Sequence, residues 1–207
     1  MADDLVFYTN PMSRGRIVRW MLEETGAAYR TEVLEFGTTM KAPEYLSVNP
    51  MGKVPTIRHN GAIVTECAAI CAYLADVFPA AGLAPPVDHR GLYYRWLFFA
   101  AGPLEAAVTN RSLGLELPAD KQGMVGYGSF ESVMNTLEKA IPPDGYVAGD
   151  SFSAADVYVG SHIGWGMQFG SLEKRPGFEE YWARVSDRDA YRRANELDDA
   201  LMPAESK

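Results

Sequence analysis

The chain has 207 residues, of which 47% are hydrophobic and 22% are charged, as is ordinary for a globular protein. This length suffices for one large domain or for two small domains that share a core. The formal net charge of −8 argues against nucleic acid and against an anionic membrane surface as partners. The apolar runs are also shorter than the ~18 residues that a membrane-spanning helix needs.

The residues at the start of the chain and the cysteine count bear on location and chemistry. Met1-Ala-Asp-Asp4 contains neither the basic segment nor the apolar segment of an export signal, so we expect a soluble, cytoplasmic protein. Cys67 and Cys71 are four residues apart, which is not the C-x-x-C redox spacing. Two cysteines and scattered histidines make a poor ligand set, and we therefore expect no metal.

The first 78 residues alternate strand and helix patterns. The predicted elements are a strand at Leu5–Tyr8, a helix at Arg14–Gly26, a strand at Arg30–Leu34, a helical turn near 43–46, strands at Val54–Arg58 and Ala62–Val64, and a helix from Glu66 to about Val77. Ser13 stands at the expected N-cap of the first helix and Gly26 just beyond its end. Asn60-Gly61 is the signal for a hairpin turn. The order predicts a small α/β domain with a parallel crossover and an antiparallel hairpin.

The remainder of the chain has helical patterns throughout. Residues 78–86 are rich in proline, glycine and alanine and are expected to form a linker. Helices are predicted at Arg90–Thr109 with an interruption at Gly102-Pro103, within 119–140, after a capping box at Ser153–Asp156, after Pro176, and near Tyr191–Leu201. We therefore expect an α/β domain over residues 1–78 and an all-helical domain over residues 88–207.

The stretch Asn49–Cys67 has two features suited to a small anionic peptide. The Val54-Pro55 bond can be cis at a cost of about 0.5–1 kcal/mol. A cis bond would turn the Val54 N–H and C=O outward as a short edge for an extended ligand. Thr65-Glu66-Cys67 opens an apolar helix whose free N–H groups attract a carboxylate. The alternative is an ordinary hairpin followed by an ordinary helix.

Four motifs in register resemble those of the cytosolic glutathione S-transferases, in particular the theta-like and beta-like bacterial classes. They are Tyr8–Ser13, Asn49–Pro55, Thr65–Leu74 and the capping box Ser153–Asp156. The resemblance covers nearly the whole chain and is weakest between residues 105 and 140. It implies a thioredoxin-like N-terminal domain that binds glutathione, an all-helical C-terminal domain that helps form a second-substrate pocket, and a homodimer.

The resemblance also implies attack by the glutathione thiolate on a hydrophobic electrophile, in a detoxification role. A free thiol has a pKa near 8.5, and nearby hydrogen-bond donors and positive dipoles lower it. Ser13 matches in register the serine of the theta-like classes and is the candidate donor of a hydrogen bond to the sulfur. Its alternative role is only to cap the helix. Tyr8 and Arg14 are the rival activating groups.

For glutathione itself, the resemblance assigns a role to each matching residue. The Val54 backbone would pair with the cysteinyl unit, and Pro55 would be the cis residue that sets this geometry. Glu66 and Cys67 would hold the γ-glutamyl end, although the family usually has serine in place of Cys67. Lys53 could pair with the glycyl carboxylate.

Further assignments concern a second lysine and the apolar pocket. Lys41 is an alternative partner of the glycyl carboxylate. The candidates for the hydrophobic pocket are aromatic or methionine side chains, which more commonly belong to a core: Met12, Trp165, Met167 and Phe169.

Three other functions are compatible with the same motifs. A glutathione-dependent peroxidase or reductase is a near relative, but Ser13 in place of a cysteine argues against exchange through mixed disulfides. A zeta-class isomerase is disfavoured because the expected Ser-Ser-Cys run is absent. A non-catalytic binding or stress-response protein is the alternative of another class; the intact Lys53-Val54-Pro55 and Glu66 argue against it, and Cys67 argues weakly for it.

Overall fold

The computed structural model describes residues 4–202, which divide into two compact units. The first unit runs to Leu83 and resumes at Arg188, and the second unit comprises Ala84–Asp187. The terminal positions of both predicted domains, including most of the Met1–Asp4 segment, lie outside the described residues.

A four-stranded sheet with the strand order β2-β1-β3-β4 forms the centre of the first unit. Its strands are β1 (Leu5–Thr9), β2 (Arg30–Val33), β3 (Thr56–His59) and β4 (Ala62–Thr65). β1 is parallel to β2 and antiparallel to β3, and β3 is antiparallel to β4. The predicted crossover and hairpin are therefore confirmed. In the turn, Asn60 and Gly61 have φ angles of 50° and 87°, as a two-residue hairpin of the Asn-Gly type requires.

Nine α-helices occur among residues 4–202. They are α1 (Gly15–Thr25), α2 (Pro43–Leu46), α3 (Cys67–Val77), α4 (Gly91–Phe99), α5 (Glu105–Ser112), α6 (Phe130–Ala140), α7 (Ala154–Gln168), α8 (Phe178–Ser186) and α9 (Asp189–Ala200). The helical turn expected near 43–46 is present as α2. Short 3-10 turns at Pro79–Ala81 and Val87–His89 occupy the stretch predicted as a linker and its continuation.

The two ends of α1 differ in how well the sequence predicts them. Gly26 adopts a left-handed φ of 66°, and its N–H bonds to the carbonyl of Glu23, so the predicted glycine end is confirmed. The prediction that Ser13 is the N-cap is wrong, because Arg14 occupies that position and makes no side-chain capping bond. Ser13 instead lies one residue earlier, where its hydroxyl accepts a hydrogen bond from Gly15 N–H at 2.9 Å.

Thr9 and Gly15 pack closely where β1 gives way to α1. Thr9 is fully buried, and its Oγ1 has no hydrogen-bond partner within the described part of the chain. A Cβ added to Gly15 would overlap that oxygen. Glycine is therefore required here by the closeness of the strand end rather than by its φ angle.

The last helix belongs to the first unit and packs on α1. The rings of Trp20 and Tyr191 meet edge to face with centroids 4.9 Å apart, and Arg19 pairs with Asp198 at 3.1 Å. The predicted all-helical domain of residues 88–207 therefore differs from the observed unit, which ends at Asp187. The periodic pattern of α9 predicts an apolar face but does not determine which surface covers it.

The second unit contains the interruption expected at Gly102-Pro103. There the helix widens into a π-helical segment at Ala100–Leu104, because Pro103 cannot donate a backbone hydrogen bond. The helix predicted within 119–140 forms only in its second half, as α6; Ala119–Met124 is a 3-10 segment instead.

α7 runs through the second unit and is buried along most of its length. The indole of Trp182 on α8 lies against its backbone at Gly164, where an added Cβ would be 2.5 Å from the nearest ring carbon. Gly164 is thus needed for the close approach of α8.

The capping box at the start of α7 is confirmed, and it extends into a buried network around Asp156. This carboxylate accepts from Val147 N–H at 2.9 Å, from Ser153 N–H at 3.0 Å and from the Tyr181 hydroxyl at 2.8 Å. Burial raises the pKa of Asp156, and these hydrogen bonds oppose the rise. The network joins α7, α8 and the loop before α7 inside one unit.

Candidate functional site

The strand register fixes which segments of the first unit share one end of the sheet. Tyr8 lies opposite Thr56, and Thr56 lies opposite Thr65. At this end β1 and β4 finish and β3 begins. The residues that follow β1, precede β3 and follow β4 must therefore emerge from the same edge.

These three segments contain the residues predicted for the site. Ser13 follows β1, Val54 precedes β3, and Glu66 and Cys67 follow β4. The start of α3 also touches the start of α1, because Cys67 Sγ lies 3.7 Å from the Arg14 carbonyl oxygen. Residues more than 50 positions apart in the chain thus come together at one end of the sheet.

The Ser13 hydroxyl is half-buried and makes two hydrogen bonds. It donates to the Asn10 carbonyl at 2.7 Å and accepts from Gly15 N–H at 2.9 Å. A hydroxyl has one proton to donate, so Ser13 must leave the Asn10 carbonyl before it can donate to another acceptor.

The loop of residues 10–13, which carries Ser13, is held by several further hydrogen bonds. The Asn10 side-chain amide donates to the Leu34 carbonyl at 2.7 Å and accepts from Met12 N–H at 2.9 Å. Arg16 Nε donates to the Pro11 carbonyl at 2.6 Å. Neither Asn10 nor Arg16 was predicted to be part of the site; Asn-Pro directly after a strand is the available signal for a side chain that closes a turn.

The rival activating groups are placed as follows. Tyr8 is half-buried within β1, and its ring centroid is 5.5 Å from that of Tyr45. Arg14 is exposed and forms the N-cap of α1.

The segment before β3 is held rigidly from one side. The Val54–Pro55 peptide bond is cis, as predicted. The Lys53 carbonyl accepts hydrogen bonds from the Tyr45 hydroxyl at 2.5 Å and from the Asn49 side-chain amide at 2.8 Å. Burial raises the pKa of Tyr45, although its hydrogen bonds oppose the rise, so this phenol stays a donor at neutral pH. Tyr45 and Asn49 thus position the backbone that leads into Val54.

The two candidate lysines differ in what they contact. Lys41 Nζ donates to the Met51 carbonyl at 3.1 Å and to the Gly52 carbonyl at 2.7 Å. Its ammonium group is therefore occupied by the loop before β3. Both lysines are exposed, so the engagement of Lys41 with these two carbonyls is what favours Lys53 as a partner for a ligand carboxylate.

Glu66 has an unusual backbone conformation at the start of α3. Its φ of 68° and ψ of 120° are uncommon for a residue with a side chain. Such conformations cost about 1–3 kcal/mol and persist where the surroundings impose them, often at functional sites. Glu66 is exposed, while Cys67, the first residue of α3, is buried. Burial raises the pKa of the Cys71 thiol, and the neighbouring Cys67 adds a smaller rise.

The candidates for the hydrophobic pocket lie in different units. Met12 belongs to the first unit and is 54% exposed beside Ser13. Trp165 and Met167 are half-buried on α7 of the second unit, and Phe169, which follows α7, is exposed.

Within residues 4–202, His, Cys, Asp and Glu side chains form no cluster of three or more that could hold a metal ion. None of the helices in this range has the length and apolar character needed to cross a bilayer.

The sheet order, the cis proline before β3 and the helical second unit define a class of protein: the glutathione transferase fold, with a thioredoxin-like N-terminal sheet. A family model described as "Glutathione S-transferase, N-terminal domain" matches residues 12–77. "Glutathione S-transferase hmp2" of Hypomyces subiculosus is 26% identical over 204 residues, which cover 90% of this chain and 95% of that protein.

Solved structures share the fold over almost the whole chain. A glutathione transferase from Methylococcus capsulatus superposes with a TM-score of 0.77 at 27% identity, covering 95% of this chain and 99% of that one. A sphingomonad glutathione S-transferase, solved in complex with glutathione, gives a TM-score of 0.75 at 26% identity, with coverages of 94% and 98%. This chain belongs to the glutathione S-transferase superfamily.

Proposed function

We propose that the protein is a glutathione transferase that conjugates the glutathione thiolate to a hydrophobic electrophile. The observation that carries the proposal is the meeting of three segments at one end of the sheet. They supply a half-buried hydroxyl at Ser13, a backbone edge at Val54 and a helix start at Cys67. A hydrogen-bond donor, a strand edge and a helix N-terminus match the thiol, the peptide backbone and the carboxylate of glutathione.

Ser13 would act as the donor that stabilises the thiolate. The hydroxyl would exchange the Asn10 carbonyl, 2.7 Å away, for the sulfur of the bound peptide. Serine is far too weak a base to remove the thiol proton, so its effect is to lower the thiol pKa by favouring the charged form. Loss of one such preorganised donor reduces turnover by roughly 10²–10³ in comparable anion sites.

The remaining polar groups would hold the two ends of the peptide. The exposed Glu66 carboxylate would accept from the γ-glutamyl ammonium group, and the N–H groups at the start of α3 would donate to the adjoining carboxylate. The exposed Lys53 would pair with the glycyl carboxylate. Cys67 lacks the hydroxyl of a serine, so this end would rely on its backbone N–H and bind less tightly.

The structural relatives support glutathione as the ligand. The sphingomonad enzyme, at 26% identity, was solved with glutathione bound. The family-model match to residues 12–77 includes Ser13, Val54 and Glu66.

Titration of bound glutathione, followed by the ultraviolet absorbance of its thiolate, tests the proposal. We expect a thiol pKa well below the ordinary value near 8.5 in the wild type and a higher one in Ser13→Ala. Ser47→Ala is a matched control, because the Ser47 hydroxyl also donates to the carbonyl three residues earlier at 2.7 Å, but at an exposed site. Turnover with an aryl halide should fall roughly 10²–10³-fold only in the Ser13 variant.

The other outcomes discriminate between the remaining functions. Binding without a change in the thiol pKa would indicate a non-catalytic binding or stress-response protein. Turnover of a peroxide or a disulfide with an inactive conjugation assay would indicate a peroxidase or reductase. Absence of glutathione binding would refute both glutathione-dependent enzymes and would indicate that the site, with Cys67 in place of serine, serves another use.

We further propose a homodimer that works in the cytoplasm in detoxification. The support for a dimer is an exposed aromatic surface on α4, where Tyr94 and Phe98 are 41% and 69% exposed. Exposed aromatic side chains are favoured at interfaces between subunits. Sedimentation equilibrium of the wild type and of Phe98→Ser would test the assembly, and a monomeric wild type would refute it.

A further inference from the structure

Arg16 links the loop that carries Ser13 to the last helix of the chain. Its Nε donates to the Pro11 carbonyl at 2.6 Å, and its Nη2 bonds to Asp199 Oδ1 at 2.7 Å. The second contact joins residues 183 positions apart, and both belong to the first unit. One guanidinium group thus bridges the loop and α9.

The geometry of this bridge suits arginine. Its planar fork directs several N–H groups at fixed angles, so fixing one end with a carboxylate orients the other. The Arg16 side chain is 21% exposed, whereas that of Asp199 is 65% exposed. The Pro11 end is thus shielded from water, and the Asp199 end is open to it.

We propose that Asp199 and Arg16 are positioning residues for the Ser13 hydroxyl. This inference rests on the proposed function and extends it to α9, which the sequence assigned to a different domain. The carboxylate holds the guanidinium, the guanidinium holds the Pro11 carbonyl, and Pro11 fixes the loop two residues before Ser13. If Asp199 no longer pairs with Arg16, the loop of residues 10–13 becomes looser and the Ser13 hydroxyl occupies a wider range of positions.

When Asp199 loses its charge, positioning and simple electrostatics predict opposite shifts in the thiol pKa of bound glutathione. Removal of the Asp199 charge leaves Arg16 uncompensated, and a stronger positive field would lower the thiol pKa. Loss of positioning weakens the hydrogen bond from Ser13 and raises the thiol pKa. The direction of the shift therefore identifies which effect operates.

The test compares Asp199→Asn with Asp189→Asn. Asp189 is also on α9, pairs with Arg192 at 2.6 Å, and its loss changes the net charge equally. For Asp199→Asn we expect about a two- to fivefold lower kcat, the range that an exposed ion pair can supply. KM for glutathione should change less than kcat, and the thiol pKa should rise. Asp199→Glu should restore both, and Asp189→Asn should behave as the wild type.

Two additional measurements test the inference: one is independent of the activity assay, and the other shows whether Asp199 and Ser13 act together. Hydrogen exchange of the peptide that spans residues 10–16 should accelerate in Asp199→Asn and not in Asp189→Asn. In a Ser13→Ala background, Asp199→Asn should reduce kcat no further, because the two residues act through one hydroxyl.

Each result supports or overturns the inference. Unchanged exchange over residues 10–16 would overturn the tether, whatever the kinetics. Faster exchange with a lowered or unchanged thiol pKa, or with additive losses in the double variant, would overturn the link to Ser13. A wild type that binds no glutathione would refute the proposed function, and the exchange comparison would still decide whether Asp199 holds the loop.

Discussion

The ion pair between Arg19 and Asp198 offers the sharpest test of how α9 is held. Both side chains are buried, with 3% and 0% exposure, and Arg19 Nε donates to Asp198 Oδ1 at 3.1 Å. Arg19 also donates to Thr31 Oγ1 at 2.8 Å and to the Tyr29 hydroxyl at 3.2 Å, and it lies over the Phe7 ring at 5.0 Å. Replacing Asp198 by alanine would leave a buried cation with only neutral partners.

The magnitude follows from the cost of an uncompensated buried charge. Burial lowers the pKa of Arg19, but the Tyr29 hydrogen bond and the Asp198 charge outweigh it and raise the pKa overall, so the guanidinium stays charged. Breaking a buried pair costs about 3–5 kcal/mol. The neutral donors and rings that remain around Arg19 reduce this loss, so we expect roughly 3 kcal/mol for Asp198→Ala.

Urea unfolding measures this loss directly. A change of roughly 3 kcal/mol should lower the midpoint by about 1–2 M. Asp189→Ala on the exposed side of α9 is the control and should leave the free energy of unfolding within about 0.5 kcal/mol of the wild-type value. The double variant Arg19→Met with Asp198→Leu removes both charges and should recover most of the stability, since apolar replacements of buried pairs are often neutral or stabilising. A single variant as stable as the control would refute the reasoning.

Three further changes are predicted from buried contacts. Thr9→Val replaces a buried hydroxyl that has no hydrogen-bond partner among residues 4–202 by a methyl group, and it should raise the free energy of unfolding by about 1 kcal/mol in urea. Gly164→Ala pushes a Cβ into the Trp182 ring and should lower that free energy by about 1–3 kcal/mol, with a change in tryptophan fluorescence. Burial raises the pKa of Asp156 above its unfolded value of about 3.9, so the stability of the wild type relative to Asp156→Asn should fall as pH rises above ~4, then level off.

The opposite result for each of these three variants would contradict the reasoning behind it. A destabilised Thr9→Val variant would mean that the Thr9 hydroxyl has a partner in solution. Wild-type stability in Gly164→Ala would mean that the Trp182 ring can move aside at no cost. For Asp156→Asn, a stability difference that rises with pH would show that the hydrogen bonds to the carboxylate outweigh its burial.

The sequence alone determined local elements in both units. Asn60-Gly61 predicts the hairpin because both residues tolerate positive φ, and the structure has φ angles of 50° and 87° there. Ser153 and Asp156 predict the start of α7 because their side chains are three residues apart, within reach of each other's backbone. Both features depend on residues that are neighbours in the chain.

The tertiary structure decided what distant segments do to one another. The sequence predicted a helix near Tyr191–Leu201, but only the folded chain shows that α9 packs on α1 and links Asp199 to Arg16. Likewise, the motif at Ser13 indicated a hydroxyl near a helix start, but not its bond to the Asn10 carbonyl. Local conformational preferences act over about four residues, whereas the fit of surfaces almost 200 residues apart depends on shape and charge complementarity that appears only once the chain has folded.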